Sequence, residues 1–150
     1  MEKIPLPALE NQRRRVKAKK IDCTEDDSSA LLILLNIAHL QFNEVPNAKL
    51  EYSVLFEAAK LCDQYDRVDL VRPWLQAWLA EEQFKCLTFG QEGWLWIAWV
   101  FGREKVFEAC ATNLARVVST DKKGACLLRN GNPIPEPVPP SIVGKFGCQM

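Results

Sequence analysis

Apolar residues crowd the chain in blocks whose spacing predicts helices. From Ala30 to Phe42 the run Leu31, Leu32, Ile33, Leu34, Leu35, Ile37, Ala38 and Leu40 leaves only a narrow polar stripe: Ser29, Asn36, His39 and Asn43, interrupted by Leu32. A helix apolar on nearly all sides is expected to be a central one, packed around most of its circumference. The cluster Thr24 to Ser28 before it supplies side chains that cap free amides and place negative charge at a helix start. Pro46 and Asn47 end that unit in a turn.

Between Leu50 and Gln64, Val54, Leu55, Ala58, Ala59, Cys62 and Tyr65 share one helical face, with Glu57 and Lys60 paired three residues apart on the other. A third helix is expected from about Val68 to Glu82, since Val71, Trp74, Leu75, Trp78 and Leu79 follow the i, i+3, i+4, i+7, i+8 rhythm. Pro73 interrupts it. Proline costs about 3 kcal/mol in a helix interior, so the helix should start just before Pro73, or kink there against a turn at 67–71. Trp94 to Phe101 forms a fourth helix ended by Gly102, and Arg103 to Val118 a fifth that buries Val106, Phe107, Cys110, Leu114 and Val117. Val16 and Ala18 alternate with lysines and predict one strand over residues 15–22. Ala125–Leu128 and Pro133-Ile134 flank Asn130-Gly131 as a small hairpin, followed by a Pro-rich tail and a short helix opened by Pro140. The fold class is predominantly α-helical (α+β).

Composition narrows the function classes. Among 150 residues, 48% are apolar and 25% charged, the balance of a globular domain. Neither Ala30–Ala38 nor Trp94–Phe101 approaches the roughly 20 apolar residues that span a bilayer. Met1 to Pro7 lacks the apolar centre of a secretory signal. Residues 1–20 carry a net charge of +5, leaving −5 on the remainder, so a nucleic-acid-binding face on the body is not expected. Six basic residues lie within 13–20, either a nuclear address or a solvated edge strand. Six cysteines stand 16 to 39 residues apart without a Cys-x-x-Cys pair, which predicts reduced thiols and an intracellular protein of the cytoplasm or nucleus.

No catalytic, cofactor-binding or metal site is expected. His39, the only histidine, reads as a structural side chain hydrogen-bonded to a neighbouring backbone. Glu25, Asp26 and Asp27 read as caps, and Gly90-Gln91-Glu92-Gly93 lacks the residues of a phosphate loop. Trp74 and Trp78 are expected to anchor the core, and Tyr65 to be structural. Three indoles as close as Trp94, Trp96 and Trp99 cannot all point one way on a helix; one should face outward and contribute to partner binding.

The stretch Asp26 to His39 resembles a segment of fungal BTB/POZ-domain proteins: an acidic pair, then a leucine-rich helix closing on histidine. Val45-Pro46, Leu61 to Asp66, Arg72-Pro73-Trp74, Trp78-Leu79, Trp94 to Gly102, Gly131-Asn132-Pro133 and Pro139-Pro140 extend the resemblance over roughly residues 16–147. It implies a non-enzymatic protein–protein interaction module, here the C-terminal part of the domain: a truncated helical cluster with one short strand and two extra helices. The organisation expected is a flexible basic segment at 1–14, the BTB/POZ-like part at 15–83, a helical extension at 84–120, and a hairpin and Pro-rich tail at 121–150. The family dimer face would be largely absent, leaving self-association and unidentified proteins as partners, without nucleic acid, membrane or cofactor. Alternative readings are a substrate adaptor of a cullin-type ubiquitin ligase and a nuclear regulatory protein addressed by residues 13–20. Leu40 stands where the family pattern has glycine, so the turn after His39 is expected to differ.

Overall fold

The computed structural model describes residues 20–143. Seven α-helices occur among them: α1 (Ser28–Ala38), α2 (Tyr52–Gln64), α3 (Val68–Trp78), α4 (Glu82–Lys85), α5 (Trp94–Val100), α6 (Glu104–Val117) and α7 (Pro140–Val143). A 3-10 turn (Phe42–Glu44) follows α1, and two short strands, β1 (Ser119–Thr120) and β2 (Cys126–Leu127), follow α6. The helix α2 packs against both α1 and α5; α5 packs on α6, and α3 lies against α1 and α2. Leu55, Cys62, Val71, Trp78 and Ile97 are sealed inside. The predicted inner faces of α2 and α6 are the buried ones, and Lys60 pairs with Glu57 at 2.7 Å as their spacing required.

Local chemistry sets the helix boundaries. In the acidic cluster, Asp27 caps α1, its Oδ1 accepting from the Ala30 amide at 2.9 Å. At the other end α1 stops at Ala38, four residues short of the predicted Phe42. His39 is the C-cap, Leu40 turns left-handed at φ 61°, and the Gln41 amide donates to the Asn36 carbonyl at 2.7 Å. Together with the bond from the Leu40 amide to Ile37, this is a Schellman ending. Two more helices close the same way. Asp66 (φ 52°) ends α2 and Gly102 (φ 68°) ends α5, with Arg67 donating to Cys62 and Arg103 to Ala98, both at 2.8 Å. The turn at Leu40 therefore has the geometry glycine would give it, contrary to the expectation of a different turn.

Several expectations need correction. Pro73 neither starts nor divides α3, which runs unbroken from Val68 and ends at Trp78 rather than Glu82. The carbonyl of Asp69 loses its donor to proline, but Asp69 and Pro73 are both exposed, so water can satisfy it. Residues 20–22 are not in a strand, and the rest of the predicted strand lies outside the described residues, as does the segment 1–14. The first arm of the predicted hairpin pairs chiefly backwards: Ser119 lies opposite Leu127 and Thr120 opposite Cys126, across a turn in which Asp121 Oδ1 accepts from the amides of Lys123 and Ala125. At Asn130-Gly131 only a single bridge, Leu127 to Pro133, remains, with Gly131 at φ 78°. Cys23, Cys62, Cys86 and Cys110 are free thiols, but Cys126 is disulfide-bonded, so the expectation of reduced thiols fails there. The tail nonetheless closes on the core, burying Leu128, Pro139 and Ile142.

Candidate protein-interaction surface

The predicted central helix is packed on one side only. Ala30, Ile33, Leu34 and Ile37 are buried, while Leu32 and Leu35 are 58% and 45% exposed. Their three-residue spacing places both on one line of the outer face, which Ser28 and His39 extend. In the turn beyond, Leu40 and Phe42 are 73% and 51% exposed. One edge of Phe42 is supported from below: its ring lies 5.7 Å from that of Trp74, which lies 6.5 Å from Trp78. Four large apolar side chains are thus exposed in a strip along α1 and its following turn, the last of them resting on Trp74. A lone exposed leucine is ordinary on a protein surface, whereas four along one helix and its turn are not.

The charged residues of the segment that carries this strip have one sign. Residues 21–48 contain Asp22, Glu25, Asp26, Asp27 and Glu44 and no lysine or arginine. The amide and hydroxyl of Thr24 donate to Asp22 Oδ1 at 3.0 and 2.8 Å, and these bonds hold the Asp22 carboxyl below its usual range. Asp26 is fixed by the Tyr65 hydroxyl, which donates to its Oδ2 at 2.6 Å and also lies 3.6 Å from Cys23 Sγ. The same bond to Asp26, with that to Cys23, raises the Tyr65 phenol well above its ordinary value. Tyr65 thus ties the end of α2 to the acidic approach to α1.

The tryptophans singled out in the sequence do not share one surface. Trp94 is buried with its Nε1 donating to Gln91 Oε1 at 3.1 Å. Trp96 is buried and its Nε1 has no partner among the described residues, while Trp99, 5.0 Å from it between ring centres, is exposed. Because α5 lies between α2 and α6, most of its circumference is covered, and only the direction of Trp99 is left open. Trp78 is sealed, donating from Nε1 to the Pro46 carbonyl at 2.7 Å; Trp74 is half-buried. His39 is exposed, and the expected bond from its imidazole to a neighbouring backbone is absent among the described residues. Its amide, not its side chain, closes α1.

A second apolar segment went unrecognised in the sequence. Phe84, Leu87 and Phe89 are all exposed on α4 and the connection after it. Leu87 and Phe89 border a cleft of about 190 Å³, and Leu87 also borders a second of about 480 Å³; the two meet at Cys86 and Leu87. Beneath them Glu82, 6% exposed, is gripped by Arg103, whose Nε lies 3.0 and 2.9 Å from its two oxygens and whose Nη2 makes a further bond. The lack of regular spacing in Phe84-x-x-Leu87-x-Phe89 is why periodicity could not find it.

Burial pushes the thiols of Cys62 and Cys110 up to about 12, leaving them protonated at neutral pH. Among the described residues no three His, Cys, Asp or Glu side chains are placed to hold a metal ion, and no helix is long and apolar enough to cross a membrane. Comparison of the chain with protein-family models, with curated proteins and with solved structures finds no match in any of the three.

Proposed function

We propose that this chain is a non-enzymatic protein–protein interaction module of BTB/POZ type, binding other proteins through an apolar helical surface and acting in the cytoplasm or nucleus, a setting that its four free thiols favour and its Cys126 disulfide does not. The observation that carries the reading is the strip Leu32, Leu35, Leu40 and Phe42. Leu40 argues most strongly. Its left-handed backbone costs an L-residue about 1–2 kcal/mol, and its side chain remains mostly in water. Glycine would avoid both penalties, so a leucine there is most economically explained by a contact made outside the chain. The BTB/POZ type draws on where the resembling residues fall: Asp26 to His39 build α1 with both its caps, Leu61 to Asp66 end α2, and Trp94 to Gly102 are α5 with its terminating glycine.

A photo-crosslinking residue placed at position 35 tests the reading. In cells it should trap discrete adducts that Leu32→Ser removes, whereas the same residue at the exposed Asp69 should trap none. Equal trapping at both positions, or none at 35, would refute an interaction surface on α1.

A further inference from the structure

We infer that the partner covering the α1 face is an amphipathic helix whose apolar stripe is flanked by lysine or arginine. The inference rests on α1 and its following turn being the interaction surface, and adds what kind of chain binds there. Leu32 and Leu35 present a row along a helix axis, which another helix can match with its own apolar row. The strip itself carries no charge, so the centre of the partner must be apolar. Its ends are acidic: Asp22, Glu25, Asp26 and Asp27 precede α1, and Glu44 follows Phe42. Within residues 21–48 there is no lysine or arginine; Lys20 and Lys49 flank that stretch, and Lys49 is paired with Glu81. Basic groups beyond both ends of the partner's apolar row therefore meet carboxylates, whereas acidic ones meet repulsion.

A second copy of this chain fits the same face poorly. Two such faces packed antiparallel would set Asp22, Glu25, Asp26 and Asp27 of one copy near Glu44 of the other, like charge against like at both ends. The exposed area of the four side chains is on the order of 400 Å², about the largest patch a monomer leaves open but half the roughly 800 Å² per partner of a standard interface. That area suits a single helix better than a folded subunit.

Two designed helical peptides test this with the full chain. Both carry leucines at i, i+3, i+4 and i+7; one has lysine flanks and the other glutamate flanks. Binding is followed by fluorescence anisotropy at low and moderate salt. The lysine peptide should bind, and Leu32→Ser with Leu35→Ser should weaken it at least about tenfold. Asp22→Asn, Glu25→Gln and Glu44→Gln together should weaken it about three- to tenfold, as should added salt. Leu40→Gly should weaken it while leaving the melting temperature unchanged or higher. Equal, leucine-dependent binding of the glutamate peptide would overturn the basic partner and leave the surface standing. Binding of neither peptide would overturn both. A dimer in sedimentation that Leu32→Ser and Leu35→Ser dissolve would make a second copy the occupant. Replacing the six basic residues of 13–20 by glutamine should not alter the affinity for the lysine peptide; tighter binding would make that run of the chain itself the occupant and overturn the inference.

Discussion

At Gly93 the start of α5 meets two aromatic side chains of α2, and replacing it with alanine isolates what that approach is worth. Its backbone is right-handed (φ −62°, ψ −10°), a conformation open to any residue, so the demand for glycine is purely spatial. A Cβ would sit 2.8 Å from two ring carbons of Phe56 and nearer still to the hydroxyl oxygen of Tyr52. Carbon atoms in contact prefer about 3.5–4.0 Å. The rings cannot simply retreat. Tyr52 stacks on Phe56 at 6.0 Å and leans on Trp94 at 6.3 Å, Lys60 covers Phe56 at 5.2 Å, and the Tyr52 oxygen accepts from the Gly93 amide at 3.0 Å. Overpacking of this kind costs about 1–3 kcal/mol, and losing the hydrogen bond about 1 kcal/mol more. Against this, alanine restricts the unfolded chain and returns about 0.4–1 kcal/mol. The net expectation is a loss of about 1–3 kcal/mol, or roughly 3–10 °C in melting temperature for a chain of this size. Thermal and urea unfolding followed by circular dichroism measure it. Adding Tyr52→Phe, which removes the nearest atom, should recover part of the loss. A Gly93→Ala variant that melts with the parent would mean that α2 and α5 do not meet this closely, and the packing described for α5 would be wrong.

Other perturbations separate structural from surface roles. Arg103→Ala leaves the Glu82 carboxylate buried without its partner and should cost about 2 kcal/mol, less than the 3–5 kcal/mol of a fully enclosed pair because half of Arg103 is in water; Glu82→Gln in the same background should restore part of it in urea unfolding. Trp78→Ala should cost about 3–5 kcal/mol and Trp99→Ala less than about 1 kcal/mol, read by melting and by access of a soluble fluorescence quencher; equal effects would put α5 in the wrong rotation. With thiol pKa values near 12, only about one in ten thousand Cys62 or Cys110 side chains is a thiolate at pH 8, so peptide mapping after brief alkylation should find them unmodified and Cys23 labelled.

The elements legible in the sequence are those set by short-range chemistry. The inner faces of α2 and α6, the Asp27 cap and the stop at Gly102 each depend on residues within a turn or two, where periodicity and capping rules operate. The features that escaped depend on contacts across the chain. Glu82 is buried because Arg103, twenty-one positions later, reaches it. The strand β2 turns back to Ser119–Thr120 rather than forward across Asn130-Gly131, a choice between two turns that are both good locally. Leu40 reads as a residue unsuited to a left-handed turn and adopts one anyway, because the two bonds closing α1 require it. Among the three indoles of α5, a step of about 100° per residue requires one to point apart from the others, but which one meets solvent depends on where α2 and α6 lie.

The reading of α1 as a central helix went wrong in an informative way. Its sequence states that nearly every direction around the helix needs apolar cover, and that statement stands. What the sequence cannot state is whether the cover belongs to the same chain. Free energy of about 25 cal/mol per Å² rewards removal of apolar surface from water whichever molecule does the covering. A fully apolar helix is therefore one signal for two situations, a core element and a binding element. They separate through features the apolar pattern does not contain: Leu32, Leu35, Leu40 and Phe42 remain open, Leu40 is held in a backbone conformation that its side chain disfavours, and acidic groups stand at both ends of the strip. Under the proposed function, these four exposed side chains, one of them carrying backbone strain, are the surface that another chain would cover.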